Sequence, residues 1–204
     1  MLRNPRSLDA IARQLAAQLD CIQNLTCRQI LQTLTEIGQP IAPLHLATLL
    51  QMSQEELATH LARVPDTEFD EQGNIVGWGI TLLPTSHQFL LPARSLFTWC
   101  AFDTVLFPPL LQVRAQVQSK CSASGHPITF VATPEGIEEL TPTTSVLSLI
   151  LPSERYDCVR GTFCLQSLFF ESEQAASAWL ASHPEAISLS LEEAAFVGQA
   201  VARI

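Results

Sequence analysis

The chain has little positive charge. It holds one lysine, Lys120, and its formal net charge at pH 7 is −9. A generally acidic surface repels phosphate and anionic headgroups, so neither nucleic acid nor membrane is an expected partner. A membrane-spanning run is also missing. No apolar stretch approaches the ~20 residues a bilayer crossing needs. The longest ones, around Phe102–Leu111 and Val146–Leu151, are broken by Asp, Pro or Ser. Met1–Asp20 carries Arg3, Arg6 and Arg13 in an amphipathic pattern with no uninterrupted apolar segment. No signal peptide is therefore expected, and the expected compartment is the cytoplasm. No two cysteines form C-x-x-C, and no Cys/His cluster has zinc-finger spacing. Internal repeats and low-complexity tracts are absent as well.

What is there is a core-rich chain. Of its 204 residues 47% are hydrophobic, enough to build one large domain or two small ones. The six cysteines are Cys21, Cys27, Cys100, Cys121, Cys158 and Cys164. In an unsignalled chain of this size they read as cytosolic free thiols rather than a disulfide framework. A metal site built from them must be assembled from distant parts of the chain.

Helical periodicity dominates residues 7–63. Ser7-Leu8-Asp9 caps a first predicted helix, with Leu8, Ile11, Leu15 and Leu19 on one face. Leu25–Ile37 forms a second, ended by Gly38 and Pro40, and Ala42–Gln51 a third. Ser53-Gln54-Glu55-Glu56 is a capping box that opens a fourth, through Arg63. The period then changes. Phe69–Gly79 reads as a turn into a strand, and Ile80–Leu83 with Gln88–Leu91 as a hairpin. Arg94–Phe107 returns to a helical pattern that Pro108-Pro109 should stop or kink. Gln112–Gln118, Ile128–Ala132, Ser145–Leu151 and Thr162–Phe170 read as strands. Glu135–Leu140 reads as a helical turn, and Glu173–Ser182 and Leu191–Ile204 as closing helices. The expected class is α+β: a small helical, winged-helix-like domain over residues 1–65, then a mixed or antiparallel sheet domain with flanking helices over residues 66–204.

Helices followed by a hairpin raise the question of DNA binding through Ser53–Arg63. Charge argues against it. Residues 1–64 hold Arg3, Arg6, Arg13, Arg28 and Arg63 against Asp9, Asp20, Glu36, Glu55 and Glu56, a net of zero. A groove reader needs a basic face. A packing role fits these helices better.

The segment Leu96–Phe107 is the most informative. On the predicted helix Cys100 and Asp103 stand at i and i+3 and share a face. Leu96, Phe97, Trp99, Phe102, Val105, Leu106 and Phe107 surround them. A helix this apolar on every side should be buried, and a carboxylate inside it is costly unless it has a partner or a task. Burial without a cation raises an aspartate pKa, so Asp103 can hold or relay a proton near neutrality. Taken singly, Asp103 is equally a cap or a buried acceptor, and Cys100 a small core hydrophobe. The histidines at 45, 60, 87, 126 and 183 are scattered, and only His126, near Cys121, invites scrutiny.

Cys100-Ala101-Phe102-Asp103-Thr104, preceded by Trp99 and followed by Phe107-Pro108, resembles the first active-site segment of the organomercurial (alkylmercury) lyase family, MerB. Gly73–Gly79 with Thr81-Leu82 resembles the strand before it. Cys121 with Gly125 and Pro127 resembles the family's middle cysteine turn. Arg160, Phe163-Cys164 and Phe169-Phe170 resemble its second active-site segment, and Trp179 with Glu193–Phe196 its C-terminal end. The similarity is good over residues 66–204 and weaker over the N-terminal helices. It implies that Cys100 and Cys164 are catalytic cysteines that bind mercury, that Asp103 is the catalytic acid at the same metal, and that Cys121 is structural. Cys21, Cys27 and Cys158 match no functional position. Leu165 stands where many relatives carry a second cysteine.

The implied reaction is protonolysis of a carbon–mercury bond, giving a hydrocarbon and Hg(II). Hg(II) prefers thiolates, and Asp103 would take a thiol proton and return it to carbon. No organic cofactor is expected. Low-molecular-weight thiols are expected for turnover, with a mercuric reductase as Hg(II) acceptor and the chain a monomer or weak dimer. Trp99, Phe102, Phe107 and Phe163 are candidate pocket walls. Two rivals stand beside this reading. A non-catalytic thiol protein that sequesters soft metals needs no buried acid, and a metal-responsive DNA-binding regulator needs a basic N-terminal domain.

Overall fold

The computed structural model describes residues 7–19, 24–64, 66–151 and 159–204. Cys21, Cys158 and the arginines at 3 and 6 lie outside the described residues. Four helices open the chain: α1 (Leu8–Gln18), α2 (Leu25–Ile37), α3 (Pro43–Leu49) and α4 (Gln54–Ala62). Their ends follow local chemistry. The Ser7 hydroxyl accepts the Ala10 N–H, Gly38 closes α2 in the left-handed conformation, and Ser53 and Glu56 cap α4 reciprocally.

Strands β1 (Glu68–Phe69), β2 (Ile75–Trp78), β3 (Ile80–Thr81), β4 (Gln88–Leu91) and β5 (Arg94–Thr98) precede helix α5 (Asp103–Leu111). Then come β6 (Ala115–Lys120), β7 (Pro127–Thr133), β8 (Gly136–Thr141) and β9 (Val146–Ile150). A 3-10 turn at Cys164–Gln166 leads into β10 (Leu168–Phe170), helix α6 (Glu173–Ser182), β11 (Ala186–Ser190) and helix α7 (Leu191–Arg203). Eight strands form one antiparallel sheet in the order β1-β2-β3-β5-β4-β6-β7-β8, and β10-β9-β11 form a second. The α+β class expected from the sequence is what the chain adopts. Helix α5 packs on β7 and α7, α1 covers α7, and α2 lies against β2 and β3. One apolar core runs from Ile11 and Leu15 through Phe89, Phe102 and Phe130 to Leu149, Phe169 and Val197. Ile41 and Ile75 exchange backbone hydrogen bonds, tying the helical segment to the sheet.

Several local expectations are overturned by non-local pairing. Arg94–Thr98 is a strand, not the start of a helix, because it pairs with β4 on one side and β3 on the other. The same pairing separates β3 from β4, so the expected hairpin between them does not form and β4 turns into β5 instead. Helix α5 runs through Pro108 and Pro109 to Leu111. Pro109 has no N–H for the Val105 carbonyl, and that carbonyl sits against Gly198 of α7. Close packing on α7 keeps the helix going where local propensity would end it. Gly136–Thr141 is a strand rather than a helical turn, paired with β7 through a register shift near Glu139, which has φ 55°. Only Leu168–Phe170 of the expected Thr162–Phe170 strand pairs, and β11, which the sequence reading missed, flanks β9.

Candidate active site

Strand β5 carries Trp99 and Cys100 to the end of the large sheet. Between β2 and β3 the chain bulges at Gly79 (φ 72°), whose carbonyl accepts the Trp99 N–H at 3.1 Å. A Cβ at Gly79 would lie 2.7 Å from the Phe107 ring. Glycine therefore lets α5 close beneath the strand that leads to Cys100. The turn from Trp99 to Phe102 is held from inside. The Thr98 hydroxyl donates to the Cys100 carbonyl at 3.1 Å and the Thr104 hydroxyl to the Ala101 carbonyl at 2.6 Å. Asp103 is the first residue of α5, and its carboxylate accepts the Cys100 N–H at 3.0 Å. Cys100 and Asp103 therefore meet across the turn that leads into a helix N-terminus, not on one face of a continuous helix as expected.

Cys164 also departs from its expected place in a strand. It opens the 3-10 turn, and its N–H donates to the Val159 carbonyl at 3.0 Å. Asp66 accepts the N–H groups of Val159 and Arg160 at 2.7 and 3.3 Å, docking this loop on the body. The Arg160 guanidinium pairs with Glu68 and lies 5.4 Å above the centre of the Trp99 ring. Glu68 also accepts the Trp99 indole N–H at 3.0 Å. Ser167, just past the turn, accepts the Ala101 N–H at its carbonyl and the Phe102 N–H at its hydroxyl oxygen, the latter at 2.9 Å.

The two loops bring the Cys100 and Cys164 sulfurs and an Asp103 carboxylate oxygen within 4.8 Å of one another. Among the described residues this is the one cluster of metal-binding type. It is closed to bulk water, with relative exposures of 0% for Cys100, 6% for Cys164 and 7% for Asp103. Burial pushes the Asp103 carboxyl up to about 7, against hydrogen bonds from the Cys100 thiol and backbone. Burial raises Cys100 too, and the Cys164 thiol that donates to it works the other way. Cys164 is raised first because its proton is held by the Cys100 sulfur and then by burial. The two thiols and the carboxyl are thus coupled in series, Cys164 to Cys100 to Asp103. Two converging soft donors suit a thiophilic metal, and a carboxyl poised near neutrality can both accept and return a proton.

The other candidates stay apart. Cys27 is buried in α2, and Cys121 is buried in the turn after β6. Burial pushes the Cys121 thiol up, but hydrogen bonds from Ser124, Glu171 and Ala123 outweigh it and leave the thiol lowered. His126 is exposed and pairs with Glu171 at 2.9 Å, while buried His87 meets the Ser119 hydroxyl at 2.8 Å. Phe102 and Phe163 pack edge to face beside the cluster, 6.0 Å between ring centres. Sequence reasoning missed Ser167, Asp66 and Glu68. The polar pair Gln166-Ser167 inside the otherwise apolar run Phe163–Phe170 was the one available sign of the first.

The family model described as alkylmercury lyase matches residues 80–203. The chain is 40% identical to an alkylmercury lyase from Pseudomonas putida over 166 residues, covering 81% of this chain and 78% of that one. It is 34% identical to an alkylmercury lyase from Streptomyces lividans over 201 residues, covering 94% and 93%. The crystal structure of the mercury-bound form of MerB2 superposes with a TM-score of 0.76, covering 96% of this chain and 97% of that one at 23% identity. That likeness shows a shared fold.

Proposed function

The chain belongs to the alkylmercury lyase family, enzymes of mercury detoxification that cleave carbon–mercury bonds, and we propose that it performs this protonolysis with Cys100, Cys164 and Asp103. The observation that carries the assignment is the buried convergence of two thiols and a carboxyl pushed to about 7.

The substrate enters as an alkyl- or arylmercury thiolate. The Cys100 sulfur bonds to mercury as the incoming thiolate leaves with the Cys100 proton. The Cys164 sulfur then bonds to the same mercury, and its proton passes to the Asp103 carboxylate. Two sulfur ligands push electron density toward the carbon. The carbon–mercury bond breaks with its electron pair on carbon, which takes the proton from Asp103 and departs as a hydrocarbon. Asp103 ends as it began, and Hg(II) is left on two thiolates. No oxidation state changes, so the sequence of steps calls for no redox or organic cofactor. Exclusion of water keeps the Asp103 proton for the carbon and suits an apolar substrate. Low-molecular-weight thiols or the cysteines of a mercuric reductase then take the metal. The reducing cytoplasm is the compartment where such thiols persist.

The test is benzene release from phenylmercury with excess thiol, in wild type and in Cys100→Ser, Cys164→Ser and Asp103→Ala. Many turnovers in wild type, lost in all three variants, are expected. Tight mercury binding without benzene would reduce the protein to a metal sequestrant and overturn the reading.

A further inference from the structure

Ser167 is 1% exposed and lies between the two loops of the site. Its backbone already joins them: the carbonyl accepts the Ala101 N–H, and its own N–H donates to the Cys164 carbonyl. Those bonds would survive any change of side chain. The hydroxyl adds something separate. Its oxygen accepts the Phe102 N–H at 2.9 Å, leaving its single proton free to donate, and the Ser167 side chain acts on the Cys100 thiol, lowering it against the larger effect of burial. No bulk water is at hand to replace either bond once the hydroxyl is gone.

We infer that Ser167 is a positioning residue whose hydroxyl pins the Cys100 turn onto the Cys164 turn, holding the two sulfurs where a single mercury atom bridges them. The inference rests on the lyase reading and deepens it. Capture of the organomercurial needs one sulfur, so it does not depend on this alignment. Delivery of the second sulfur and of the proton does. Loss of the hydroxyl should therefore spare KM and reduce kcat, because small misplacements of reacting groups are costly once substrate is bound.

Steady-state release of benzene from phenylmercury would be compared in wild type, Ser167→Ala, Ser167→Thr and Ser167→Val. Threonine and valine have nearly the same shape, and only threonine keeps the hydroxyl. Ala and Val are expected to lower kcat by about ten- to a hundredfold with KM within about twofold, while Thr stays near wild type. In parallel, the ultraviolet charge-transfer band of Hg(II) on two thiolates should bleach at lower competing thiol in Ser167→Ala than in wild type. Wild-type kcat in Ser167→Ala would overturn the inference while leaving the lyase intact. Equal losses in Thr and Val would also overturn it, by reducing the site to packing. Absence of benzene from wild type would instead bring down the lyase reading itself, and the inference with it.

Discussion

Replacing Asp103 with asparagine tests the electrostatic core of the mechanism without any mercury present. Burial raises this carboxyl from an ordinary value of 3.8 to about 7. The unfolded chain releases the Asp103 proton near the ordinary value, and the folded chain keeps it until near neutrality. Between these limits the native state holds the extra proton, so stability is lost as pH rises through the window. The rise spans about three decades of proton affinity at about 1.4 kcal/mol each, so wild type should lose at most about 4 kcal/mol between pH 4 and pH 7 on this account. The asparagine of the variant stays neutral and still offers an oxygen to the Cys100 N–H. Urea unfolding of both proteins at half-unit pH steps gives the difference directly, because titrations elsewhere cancel between them. The Asp103→Asn protein is expected to gain steadily on wild type as pH climbs. Parallel curves, or a wild type that gains on the variant with rising pH, would mean that Asp103 is ionised throughout. The raised basicity that lets Asp103 take the Cys164 proton would then be missing.

Two further perturbations follow from the packing. His87 is lowered by burial from 6.5 to about 4, so protons bind the unfolded chain first and stability is lost as pH falls through that range. Against His87→Gln, wild type should lose about 3 kcal/mol on acidification over this window, read by urea midpoints, whereas a pH-independent difference would contradict the burial argument. Gly198→Ala would place a methyl 2.6 Å from the Val105 carbonyl. It should cost about 1–3 kcal/mol in a thermal or urea melt and reduce benzene turnover by shifting α5, and an unchanged melt would show that the crossing of α5 and α7 has slack.

Elements whose ends are set by their own residues were legible in the sequence. Ser53 and Glu56, Gly38, and the phase of Leu8, Ile11 and Leu15 mark α1, α2 and α4 without help from the rest of the chain. Helices α6 and α7 were read within one residue of their observed bounds. The candidate site was legible in composition but not in geometry. Cys100 and Asp103 were singled out by apolar surroundings and by the family resemblance, Cys164 by the resemblance alone. Their arrangement was misjudged because Leu96–Phe107 is apolar at nearly every position, and such a run has no period to separate strand from helix. Glu135–Leu140 failed similarly, since a bulged edge strand with a left-handed residue at Glu139 has no local signature.

The sequence by itself determined that the chain is acidic, core-rich and without an apolar run of membrane length, and that a carboxylate and a cysteine lie close together in an apolar segment. It also determined where most helices begin, because caps and apolar faces are local properties. The tertiary structure alone decided that Arg94–Thr98 is a strand and that α5 continues through two prolines. It also placed Cys164 against Cys100, with helix α5 and the four strands β6 to β9 between them in the chain. Each of these depends on a partner outside the segment itself: β3, beyond the β4–β5 turn, for the strand, Gly198 for the helix, Ser167 and Asp66 for the loops. Pairing energy of that kind outweighs local propensity and leaves no trace in the segment it acts on.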